Sequence, residues 1–142
     1  MVWKLAVCAV AGAFVLAGCD SGESDAEKEQ EDSDSPAAQV VRDFYGAANE
    51  ADGNKACALL TPNGVRTVVR VPTRPACVRT VDALAAGSFE TDNGELVDVE
   101  SVEERGDGFD VEAVVKGRSE GVFSVVEQDG RLVIDGFESE EG

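Results

Sequence analysis

Thiols, guanidinium groups, carboxylates and one tyrosine are the side chains with which this chain could do chemistry. It carries four cysteines, Cys8, Cys19, Cys57 and Cys77, and no histidine. Without histidine the usual general base near neutral pH is missing, so neither a Ser-His-Asp nor a Cys-His arrangement can be assembled. No Cys-x-x-Cys pair, metal-ligand cluster or glycine-rich phosphate loop is present, and no metal or cofactor is expected. Asp43 and Asp98 could serve as acid or base only if buried beside a substrate. Tyr45 could turn its hydroxyl into a cavity, although an apolar stripe at its spacing reads first as core. Between Lys55 and Arg79 the chain holds Arg66, Arg70, Arg74 and Arg79 and no acid. Such a patch could take a phosphate or a carboxylate. The plainer reading is a solvated helical face whose cations pair with neighbouring acids. Arg66 and Arg70 stand four apart and would share a face if their segment is an α-helix. Arg105-Gly106-Asp107 spells an adhesion tripeptide, but its glycine, with Gly108, is what a hairpin turn requires.

At the N-terminus Lys4 is the sole charge before an apolar or small run from Leu5 to Leu16. This is the n-region and h-region order of an export signal. As a helix, Leu5 to Gly18 would rise only about 21 Å, short of a hydrocarbon core roughly 30 Å thick, so a permanent span is not expected. The run ends in Leu16-Ala17-Gly18-Cys19, which resembles the lipobox of bacterial lipoproteins. The resemblance implies cleavage between Gly18 and Cys19, acylation of Cys19, and a lipid-anchored domain on the extracytoplasmic face of the cell membrane. More than one acyl chain on that residue would anchor stably.

Residues 19–35 read as the lipidated cysteine and a tether. Asp20 to Ser35 contains eight acids against Lys28 alone, and nothing apolar larger than Ala26. It cannot offset its chain entropy by burial, and as a flexible coil its sixteen residues would span on the order of 20 Å. The chain carries −17; the segment 1–18 holds only Lys4, so its removal leaves −18. Acidity of this size argues against nucleic acid as a partner and against electrostatic attachment to anionic lipid. The lipid on Cys19 therefore supplies the expected attachment, with an unidentified small ligand or an envelope protein as the further partner.

With Cys8 assigned to the signal and Cys19 to lipid, Cys57 and Cys77 are left in an oxidising compartment, where a pair is expected to close into a disulfide. A redox-active or metal-binding pair is the alternative.

Residues 36–138 form one domain of about 100 residues, followed by an acidic tail at 139–142. Its periodicity changes once. Ala37, Val40, Val41, Phe44, Tyr45 and Ala48 lie at helical steps behind Ser35 as cap and Pro36 at the first position. A short helix follows from Asn54 to Leu60, a turn or two after Thr61-Pro62 through Val65, Val68 and Val69, and a helix from Pro75 that Gly87 should stop. After Gly94 come four strands, Glu95 to Glu104, Phe109 to Lys116, Gly121 to Glu127 and Leu132 to Phe137. Tight turns separate them, the last around Asp129-Gly130. Strands joined so closely must be antiparallel, which predicts an α+β domain with helices packed on a curved antiparallel sheet of about four strands.

The runs Ala38-Gln39-Val40-Val41-Arg42-Asp43-Phe44-Tyr45, Ala56-Cys57-Ala58-Leu59-Leu60-Thr61-Pro62 and Pro75-Ala76-Cys77 resemble small actinobacterial lipoproteins with a nuclear transport factor 2-like domain. The resemblance implies a cone-like sheet of the nuclear transport factor 2-like or cystatin-like kind. The missing histidine departs from the enzyme-like members of that superfamily, because an Asp-His pair of the dehydratase kind cannot be built. Three functions follow as expectations. The leading one is a non-catalytic binding or protein-interaction module. The second is a small isomerase-, dehydratase- or hydrolase-like enzyme using a buried Asp or Glu. The third is a structural or regulatory partner of another envelope protein.

Overall fold

A computed structural model describes residues 33–89, 95–116 and 119–140. The export signal with Cys8, the lipobox with Gly18 and Cys19, and the acidic stretch up to residue 32 lie outside the described residues, as do Gly117 and Arg118 of the middle turn. Helices precede a four-stranded antiparallel sheet, the α+β arrangement expected from the single change of period.

Helix α1 spans Pro36–Asn49 and starts where the cap signal places it. The Ser35 hydroxyl oxygen accepts from the Ala37 and Ala38 amides at 3.2 and 3.4 Å, satisfying donors that a helix start leaves open. Arg42 reaches back to donate to both the backbone carbonyl and the hydroxyl oxygen of Ser33, which ties the residues just ahead of the helix to its first turns. The buried stripe is Ala37, Ala38, Val40, Val41, Phe44, Tyr45, Ala47 and Ala48. At the far end Ala51 takes the left-handed conformation, φ 55°. Its amide donates to Ala48 and that of Asp52 to Ala47, the pairing of a Schellman cap.

Helix α2, Gly53–Ala58, is capped by the Asp52 carboxylate, which accepts from the Lys55 amide at 3.0 Å. Helix α4, Arg74–Asp82, is capped by Thr73 with Pro75 in its first turn. The two pack closely. A Cβ at Gly53 would lie 2.4 Å from the Val78 carbonyl oxygen, so only glycine permits this approach. The Gly53 amide donates to the Asp82 carboxylate at 2.7 Å. Helix α4 ends at Asp82, short of the expected stop at Gly87. The chain turns there so that the Gly87 amide donates to the Asn49 carbonyl and the Phe89 amide to the Asn49 side chain, tying this loop to the end of α1.

Between α2 and α4 lie the one-turn helix α3, Pro62–Gly64, and a π-helical turn over Val65–Val69. The wider turn closes when the Arg70 amide donates to the Val65 carbonyl, with Arg70 left-handed at φ 64°.

The sheet is a meander, β1 Val97–Arg105, β2 Gly108–Val115, β3 Ser119–Gln128 and β4 Arg131–Ser139, in the order β1-β2-β3-β4. Strand β4 runs one residue into the expected acidic tail, and the Glu140 amide still donates to Glu120. Asp129 and Gly130 both have positive φ, 53° and 78°, as a tight turn matched to the strand twist requires. One face of the sheet carries Val97, Val99, Val111, Ala113, Val115, Phe123, Val125 and Ile134 into a core shared with α1. Each outer strand has a bulge. Val99 pairs with Ala113 and Ser101 with Glu112, leaving Glu100 extra; Ser124 pairs with Gly136 and Val125 with Ile134, leaving Asp135 extra.

The β4 bulge locks the helical segment to the sheet. The Thr61 amide donates to the Ile134 carbonyl at 3.0 Å and the Ile134 amide to the Leu59 carbonyl at 2.8 Å, so Leu60 continues the sheet beyond β4. The Thr61 hydroxyl donates to the Asp135 carboxylate at 2.6 Å while accepting from the Gly64 amide, and the Asn63 side chain donates to the Asp135 carbonyl. The β4 edge is thereby paired by its own chain at Ile134, which interrupts it as a template for unwanted strand addition.

Candidate functional site

The interior offers packing rather than converging polar groups. Among the described residues the buried set is apolar except for Thr61, whose hydroxyl is used twice in the contacts above. The Tyr45 ring is 8% exposed and lies edge-on to Phe44, Phe89 and Phe123, with centroids 4.9, 5.8 and 5.9 Å away. Phe123 in turn meets Phe137 at 4.6 Å. Tyr45 is therefore the hub of an aromatic cluster, where its ring contributes burial and edge-to-face contacts.

Cys57 and Cys77 form the expected disulfide, with Cα atoms 6.2 Å apart. Both are fully buried, and bonded to each other they leave no thiol for redox attack or metal ligation. The bond joins α2 to α4 across the segment that carries the π turn.

That segment also carries the arginines, and the structure separates them. Arg74 donates to the carbonyls of Cys57 and Leu60, at 2.5 and 2.8 Å. It thus adds a charged donor to carbonyls at and just past the end of α2, a structural role for a residue first grouped with the anion candidates. Arg66, Arg70 and Arg79 are exposed, and no ion-pair partner of theirs occurs among the described residues. The α-helical argument for a shared face does not carry over to Arg66 and Arg70. Their segment is π-helical and the chain turns left-handed at Arg70, so their spacing of four no longer implies alignment.

The two candidate carboxylates lie at the surface. Asp43 is exposed on α1 and accepts from the Gln39 amide side chain at 2.8 Å; Asp98 is exposed on β1. Neither has the apolar enclosure that would turn a carboxylate into a base near neutral pH. Arg105-Gly106-Asp107 occupies the β1–β2 hairpin, with Gly106 at φ 54° and the Arg105 guanidinium 2.9 Å from Asp110.

The feature that motif reading missed is the outer face of the sheet. Register places Asp98 opposite Val114 and Val114 opposite Glu120, and in the next row Glu112 opposite Val122 and Val122 opposite Glu138. Directly opposed residues share a face, so each valine stands between two acids. Glu100, two residues after Asp98, lies on this face as well, and the β1 bulge leaves it without a direct partner on β2. Partial desolvation, followed by the fields of Glu120, Glu112, Asp98 and Glu140, holds its carboxyl above the usual glutamate range. Ser101 beside it donates to Glu112 at 2.9 Å. Val114 and Val122 are half-buried and stand outside the core cluster. Alternation of acid and valine along β1, β2 and β3 was legible, but which acids meet across strands depends on the register and the bulge.

No protein-family model matches the chain, and neither does any curated protein or solved structure. Function is therefore read from the surfaces themselves.

Proposed function

We propose that the chain is an extracytoplasmic, lipid-anchored lipoprotein whose domain works as a non-catalytic interaction module, built on a nuclear transport factor 2-like arrangement. Leu16-Ala17-Gly18-Cys19 behind an apolar run supports the anchoring, and the acyl chains belong on Cys19. The observation that carries the extracytoplasmic location is the Cys57–Cys77 disulfide, since such bonds persist outside the reducing cytoplasm. The apolar interior and the surface positions of Asp43 and Asp98 favour recognition at the surface over catalysis in a cavity. The resemblance to the nuclear transport factor 2-like domains rests on the three helical runs quoted above together with the order of helices and strands.

The test is to express the full chain in a bacterium that processes lipoproteins, separate the membrane fraction, and measure the mass of the purified protein. Expected is a membrane-bound product that begins at Cys19 and carries acyl chains, with Cys19→Ser released or left as an uncleaved precursor. A mature protein without acyl mass would overturn the anchoring.

A further inference from the structure

On the outer face of the sheet the two rows Asp98-Val114-Glu120 and Glu112-Val122-Glu138 hold acids at both ends, an apolar residue at each centre and no cation. Exposed antiparallel strands gain stability from opposite charges set across from each other and lose it from like charges. Here Glu100, Glu112, Glu120, Asp98 and Glu140 are close enough for their mutual repulsion to be felt at Glu100. Along the same face of β2 the two rows are flanked by Asp110, which is paired with Arg105, and by Lys116, while on the helical side Glu50 is paired with Lys55.

We propose that this face docks a basic polypeptide segment of a partner protein, whose lysine or arginine side chains meet the carboxylates and whose apolar residues cover Val114 and Val122. The inference rests on the reading of the domain as an interaction module and names the chemistry of its partner. Charge decides among occupants. A second copy laid face to face would set acids on acids, a juxtaposition that costs rather than stabilises, and anionic lipid is repelled for the same reason. A small cation would answer the carboxylates but leave the valines in water. A segment in which every second residue is by turns a cation and an apolar residue presents both on one strand face and so matches both features.

The test uses the full chain in nonionic detergent and three labelled seven-residue peptides, Lys-Ser-Val-Ser-Lys-Ser-Val (the Lys-Val peptide), the same with serine for each valine (Lys-Ser) and the same with glutamate for each lysine (Glu-Val), followed by fluorescence anisotropy at low and moderate salt. Expected is binding of the Lys-Val peptide about tenfold tighter than the Lys-Ser peptide, and none of the Glu-Val peptide. Val122→Ser should abolish the difference between the two cationic peptides. The triple variant Glu112→Gln, Glu120→Gln, Glu138→Gln should weaken both by about tenfold or more and flatten the salt dependence. Should the triple variant melt out in circular dichroism, the single reversal Glu138→Lys at an exposed position reads the same charge effect. Equal binding of Lys-Val and Lys-Ser, unaffected by Val122→Ser, would reduce the face to diffuse counter-ion attraction and overturn the proposal. So would binding of the Glu-Val peptide, or no binding of any cationic peptide. The anchoring experiment reads out separately: an acylated chain that ignores the peptides loses this inference alone.

Discussion

The helical segment from Ala51 to Asp82 and the sheet from Val97 to Ser139 are held together by different means. The sheet relies on regular pairing and on residues suited to their conformations: its positive φ angles fall at Gly106, Asp129 and Gly130, types that tolerate them. The helical segment has short helices, a π turn and two left-handed residues, Ala51 and Arg70, whose Cβ atoms make that conformation unfavourable. It is secured by a disulfide, by the Arg74 guanidinium on two carbonyls, and by Thr61 and Asn63 on the β4 bulge. Short helices gain little from their own hydrogen bonds and must be fixed by tertiary contacts. A four-stranded sheet with one apolar face needs no such staples.

The largest expected effect breaks this difference directly. Replacing both Cys57 and Cys77 by alanine opens a closure of 20 residues. On the loop-entropy account this costs about 3 kcal/mol, a large share of the stability of a small domain. A chemical-denaturation midpoint measures the total. Amide exchange should show protection lost first over residues 53–82, with the β2–β3 pairing retained; uniform loss across both regions would mean that the sheet depends on the clamp as much as the helices do.

A smaller change should go the other way. Ala51→Gly relieves the left-handed position at the end of α1, and a Cβ is not needed there for the Schellman pairing. The expected gain is about 0.5–1 kcal/mol, after allowance for the greater freedom of glycine in the unfolded chain. Thermal unfolding reads it, and a loss instead would assign the Ala51 methyl a packing role that outweighs the strain.

The smallest effect sharpens the sheet side. The Glu100 carboxyl is held above the usual range, so the folded state binds its proton more readily than the unfolded state does. Ionised Glu100 is then unfavourable to folding at neutral pH, and acidification through its folded pKa toward the ordinary value relieves that penalty. Glu100→Gln should raise the melting temperature slightly at pH 7 and low salt. The gain should shrink with added salt and vanish below about pH 4. A gain that persists in acid would point to bulge geometry rather than charge.

Much of the fold was legible along the chain because its signals are local. Ser35-Pro36 marks a helix start whatever follows, Asp129-Gly130 suits one kind of hairpin, and the change from a step of three and four to a step of two separates helices from strands. The Cys57–Cys77 pairing was legible by assigning the other two cysteines elsewhere. The length of α4 was not, because its last turn competes with Asn49, forty residues away from Phe89 in sequence, for the chain that follows Asp82. Arg74 read as one of four equivalent cations until the ends of α2 and α4 were brought together. The acidic outer face was hidden for a related reason: which acids flank Val114 and Val122 is set by the register of neighbouring strands, and a period of two along one strand does not announce it.

By itself the sequence determined the class of domain, the number of strands, the disulfide partners and the strong acidity, all of which follow from residue types and their neighbours within a few positions. Tertiary structure alone decided which arginine is consumed by the fold and which carboxylates gather around Val114 and Val122. Those outcomes depend on helix crossing and strand register, where a displacement of one residue moves a charge to a different set of neighbours, and such distances between remote parts of a chain exist only once it has folded.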